Sequence, residues 1–71
     1  MIMGHKRTFN RIKAVLAEKG KNNLWLAENM EVSNVTVSRW CTNEMQPKVE
    51  TLFEIARMLK VDTRELLISG N

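Results

Sequence analysis

At 71 residues and 44% apolar content the chain has the size of one small domain, near the lower limit for a self-sufficient core. One proline and three glycines argue against a loop-rich scaffold, and the single cysteine, Cys41, excludes an intramolecular disulfide framework and fits a reducing compartment. The net charge of +3 and pI near 9.4 are mildly basic, which by themselves exclude little.

His5, Lys6, Arg7, Arg11 and Lys13 cluster at the N-terminus, whereas most carboxylates lie in the C-terminal half. Residues 1–7 read as a flexible basic arm and residues 8–68 as the folded domain. The asymmetry suits a phosphate-facing edge; a basic tail kept for solubility is the plainer alternative. The first helix is predicted from about Thr8 to Lys19, with Phe9, Ile12, Val15 and Leu16 on one face. It stops at Gly20, which can take a left-handed conformation. Asn22 is placed to cap a second helix that ends near Met30. Ser33 caps a third, which runs to about Thr42. Val32 and Val37 flank that cap as a hydrophobic staple. Asn43 tolerates positive φ, and Pro47 punctuates the loop that follows. A fourth helix is predicted from near Val49, carrying Leu52, Phe53, Ile55, Ala56 and Leu59 inward. A fifth begins at Asp62, where DTRE suggests a capping box with Glu65, stapled by Val61 and Leu66. No stretch alternates with period two long enough for a strand. The expected fold is all-α, five short helices in one bundle.

The stretch LAENMEVSNVTVSRW, Leu26 to Trp40, is the most informative. Leu26, Ala27 and Met30 stripe the first of two short helices, Val37 and Trp40 the second, and the turn between them permits only a steep crossing. Asn34, Val35, Ser38 and Arg39 point outward as a short polar face nearly free of carboxylates, a shape suited to a DNA major groove.

From Asn10 to Leu67 the chain resembles the helix-turn-helix family of phage lambda and 434 repressors and Cro proteins, the Xre family. RIKAVLAEKG, LAENMEVSNVTVSRW, QP and TLFEIARMLKVDTRELL carry the resemblance. Its layout is similar to that of short stand-alone bacterial or phage regulators, including restriction–modification controller proteins. The resemblance implies a lambda-repressor-like five-helix domain that places its third helix in the major groove of double-stranded DNA. Asn34, Val35, Ser38 and Arg39 would then meet base edges. Arg39 suits guanine O6 and N7, Asn34 suits adenine N6 and N7, and Val35 suits a thymine methyl. Asn23 matches a phosphate clamp at a helix start, Ser33 and Thr36 can act similarly, and Asn43, Gln46 and Lys48 match a second phosphate-contacting segment. Two positions depart from the pattern: Glu31 stands where glycine is usual in the turn, and Lys48 stands where a serine-type cap is common.

Trp40 reads as a core residue. Trp25, beside Leu24, is open between covering the core edge, serving a partner surface and lying against the DNA backbone. Cys41 reads as a small apolar filler. His5 has no ligand-spaced partner, so neither a metal site nor a cofactor is expected. No catalytic constellation is visible, and no enzyme activity is expected. No apolar run approaches the roughly 20 residues of a membrane span and no signal peptide is visible, so the expectation is a soluble cytoplasmic protein. One recognition helix reaches about four base pairs, so a homodimer on a palindromic operator is expected, through Leu67 and Ile68 with Met45 and Met58 as additions. The rival reading is a protein-interaction module, an antitoxin or coactivator-like adaptor, that uses Leu24, Trp25 and the methionines as an apolar surface.

Overall fold

The computed structural model describes residues 9–67. The arm at residues 1–7, with His5, Lys6 and Arg7, lies outside the described residues, as do Thr8 and Ile68. Four α-helices are present among those described: α1 (Ile12–Glu18), α2 (Asn23–Met30), α3 (Asn34–Cys41) and α4 (Val49–Leu59). A single 3₁₀ turn, Thr63–Leu66, stands where a fifth α-helix was expected. The reason lies at its end. Leu67 is extended and forms an isolated antiparallel bridge with Asn10, and the Arg11 N–H donates to the Leu66 carbonyl at 2.8 Å. The chain must leave the helical conformation at Leu67 to make that pairing. The capping box also does not form. The Asp62 carboxylate accepts instead from the Arg64 N–H and guanidinium, which hold the carboxyl below its usual range.

Most helix ends follow local chemistry. α1 closes with a Schellman pair, Lys21 N–H to Leu16 and Gly20 N–H to Ala17, around Gly20 at φ 72. The Asn22 side chain accepts from Trp25 N at 2.8 Å and starts α2; Ser33 accepts from Thr36 N at 3.0 Å and starts α3. Lys48 starts α4 without a side-chain cap. α2 ends at Glu31 with φ 60, Asn43 after α3 has φ 64, and α4 ends at Lys60 with φ 59. All three hold the left-handed conformation, where a β-carbon is strained and glycine is the ordinary occupant.

The core gathers Ile12, Val15 and Leu16 from α1, Leu26 and Ala27 from α2, Val37 and Trp40 from α3, and the inner face of α4. Leu66 seals it from the 3₁₀ turn, and Val32 and Val61 pack at its margin, as their staple positions suggest. Two aromatic residues expected inside are not. Phe9 is 50% exposed because α1 begins about four residues later than expected, and Phe53 is 57% exposed because the buried stripe of α4 is Leu52, Ile55, Ala56 and Leu59.

The delayed start of α1 is explained by Asn10, a buried polar side chain. Its Oδ1 accepts from Ile12 N at 3.0 Å, and its Nδ2 donates to the Trp40 carbonyl at 3.1 Å and to Gln46 Oε1 at 2.7 Å. Asn43 Oδ1 in turn accepts from the backbone N–H groups of Phe9 and Asn10 and from Gln46 Nε2.

Two stability measurements follow from these contacts. Asn10→Ala orphans the Ile12 N–H and takes one of two donors from the Trp40 carbonyl, which keeps the Asn43 N–H, and thermal unfolding is expected to show a loss of about 2–4 kcal/mol. A loss within experimental error would mean water replaces the amide without cost. Glu31→Gly relieves left-handed strain of about 1 kcal/mol and is expected to raise Tm by roughly 4–8 °C. A Tm that stays level or drops would count against a strained Glu31.

Candidate nucleic-acid interface

α2 and α3 are joined by only Glu31, Val32 and Ser33, so their relative angle is set by that turn and by the core beneath it. Glu31 turns the chain left-handed, and Val32 N–H returns to the Ala27 carbonyl at 3.0 Å. Ser33 then caps α3, its hydroxyl also within 2.9 Å of Thr36 Oγ1. Val37 and Trp40 anchor the inner face of α3 in the core.

Four residues lie along the outer side of α3: Asn34, Val35, Ser38 and Arg39, at i, i+1, i+4 and i+5, which is one face of a helix. Asn34, Val35 and Arg39 are exposed and Ser38 is half-buried. α3 contains no carboxylate, and Arg39 makes no ion pair among the described residues. The Arg39 backbone carbonyl accepts from the N–H groups of Glu44 and Met45, so it also anchors the turn that follows α3.

The residues expected to meet phosphate divide into two groups. At the start of α2, Asn23 is half-buried and its Oδ1 accepts from the Cys41 thiol at 3.3 Å, which ties the helix start to the end of α3. Burial pushes the Cys41 thiol up, with the nearby Lys13 ammonium opposing, so Cys41 is a neutral packing group here. A cleft of about 370 Å³ opens beside Asn23, lined in part by Lys13, Lys21 and Asn22. Lys13 escapes a reading by motif, because it reaches Asn23 only through the packing of α1, whereas Lys21 stands two residues before Asn23 in the chain. The one sequence signal was the basic bias of the N-terminal segment.

On the other side of α3, Asn43 and Gln46 are committed to the network around Asn10. Lys48 is exposed, forms no ion pair among the described residues, and sits at the positive end of α4. The proposed dimer residues are dispersed in exposure: Leu67 is 45% and Met45 40% exposed, whereas Met58 is half-buried. Trp25 is half-buried against the core, with the Lys21 ammonium 4.9 Å from its ring centre, and its neighbour Leu24 is 53% exposed. No group of His, Cys, Asp and Glu among the described residues is arranged to hold a metal ion, and no described helix is long and apolar enough to cross a membrane.

Comparison with known proteins gives a family and a solved relative. Residues 12–66 match the helix-turn-helix family model. A crystal structure of a chain described as a "putative DNA-binding protein" from Bacteroides fragilis is similar to this one, with a TM-score of 0.82 and 52% sequence identity over 83% of this chain and 95% of that chain. No curated protein matches.

Proposed function

Because the chain belongs to the helix-turn-helix family of the Xre/Cro type, we propose that it is a sequence-specific DNA-binding transcriptional regulator that reads a major groove with α3. The observation that carries this reading is the outer face of α3. It is convex, free of carboxylates, anchored from behind by Val37 and Trp40, and ends in an unpaired guanidinium. Arg39 donates two parallel hydrogen bonds to a guanine edge, Asn34 pairs with an adenine edge, Val35 covers a thymine methyl and Ser38 supplies an adaptable hydroxyl.

Phosphates are held on both flanks in this reading. Asn23 presents its helix N-terminus with Lys13 and Lys21 beside it, and Ser33 and Thr36 contribute at the start of α3. On the far flank Lys48 carries the charge. Asn43 and Gln46 shape its loop and offer the amide hydrogens left over from their internal bonds. A single short recognition helix binds modestly, so the reading includes a homodimer on a palindromic operator, joined through Leu67 and Ile68 and repressing by occupying promoter DNA. Leu67 supports this by its exposure at the point where the chain leaves the core.

The test is selection of bound fragments from random DNA by the purified protein, which is expected to yield a palindrome. On that operator Arg39→Ala is expected to cost about 1–3 kcal/mol and to relax one base preference. Equal weakening on every sequence would reduce Arg39 to a phosphate anchor. Lys48→Ala is expected to lower the salt slope of binding by roughly one unit. The adaptor alternative, in which the exposed Leu24 docks a protein, predicts no selected sequence and little response to salt.

A further inference from the structure

A second cationic cleft adjoins the Asn23 flank through Lys21 and is otherwise built from different residues. Lys19, Lys21, Trp25, Met58, Leu59 and Lys60 line a cavity of about 350 Å³ where the ends of α1 and α4 meet the start of α2. That volume lies in the lower part of the range occupied by small-molecule sites. Trp25 and Asn23 are two residues apart on α2, so they project from sides roughly 200° apart around the helix. The cleft shares Lys21 with the Asn23 flank, and its other lining residues are its own.

Its composition is unlike that of an ordinary solvated surface. Three lysines line the cleft, and no carboxylate is among its described lining residues. Lys19 and Lys60 form no ion pair among the described residues, and Lys21 rests over the Trp25 ring at 4.9 Å. The negative ends of two helix dipoles make this concentration of positive charge tolerable. They do not require it, because backbone groups already cap those ends: Lys21 N–H bonds to Leu16 and Val61 N–H bonds to Ala56. Lys60 moreover occupies a left-handed position, φ 59, where glycine would fit without strain. The floor is apolar, with Leu59 buried and Trp25 and Met58 half-buried.

We infer that this cleft binds a small organic anion: a planar apolar body against Trp25, Met58 and Leu59, with a phosphate or carboxylate held among Lys19, Lys21 and Lys60. The apolar floor favours such a molecule over a bare inorganic ion, and the lysines favour it over a neutral ring. Lys19, Trp25, Met58, Leu59 and Lys60 have no part in the regulatory reading, so a variant at Lys60 tests the cleft apart from it.

The experiment is an amide and indole NMR titration of the full chain with 1-naphthyl phosphate and, separately, with inorganic phosphate. Saturable shifts at the Trp25 indole, Gly20 and Lys60 are expected, with 1-naphthyl phosphate bound at least about tenfold more tightly than inorganic phosphate. Lys60→Gly removes one ammonium at a position where glycine takes the existing backbone, so the fold is expected to survive while affinity falls roughly fivefold. Equal binding of the two probes, shifts spread over Lys13 and Arg39 instead, or unchanged affinity in Lys60→Gly would each overturn the inference.

Discussion

The side-chain amide of Asn10 joins parts of the chain that no helix links directly. Its oxygen starts α1 through the Ile12 N–H, and its nitrogen reaches the carbonyl of Trp40 and the side chain of Gln46. The backbone of the same residue pairs with Leu67 and donates to Asn43. A buried amide satisfied on every side is directional in a way that apolar packing is not, since a shift of an ångström breaks bonds that water cannot replace. No buried side-chain polar atom among the described residues lacks a partner. The orientation of α3 is consequently held at both ends: by the Glu31 turn and the Ser33 cap at its start, and by an amide 30 residues earlier at its finish.

Features set by neighbours within a turn were legible before any coordinates. The caps at Asn22 and Ser33 and the stop at Gly20 rest on bonds between residues no more than five apart, and the uncapped entry at Lys48 follows from a side chain with no acceptor. The outer face of α3 followed from helical spacing alone. Features decided by distant partners were not legible. Phe53 continues the apolar run of α4, and periodicity cannot say how wide a stripe the rest of the core will cover. DTRE has the composition of a capping box, yet the bridge to Asn10 shortens the segment to a 3₁₀ turn and leaves Asp62 to Arg64. Asn43 and Gln46 show the same limit at the candidate site. Their residue types suit phosphate, and only the tertiary structure shows their side chains turned toward Asn10.

The division of labour across the interface follows from this. Residues of α3 that point outward are free of internal obligations, so their chemistry can vary without cost to the fold. Asn23, Asn43 and Gln46 carry internal hydrogen bonds as well as a position beside the proposed DNA path. Substitution there would move the frame and the contact together, which makes those residues poor sites for altering specificity.

Glu31 ends α2 in a left-handed conformation and places a negative charge at the negative pole of that helix, beside the edge of the proposed reading face. Both effects oppose stability. If α3 reads DNA as proposed, the same carboxylate has a consequence for binding. It would repel every phosphate track alike, at the right site and elsewhere, leaving selectivity to the bonds that the outer face of α3 makes with bases.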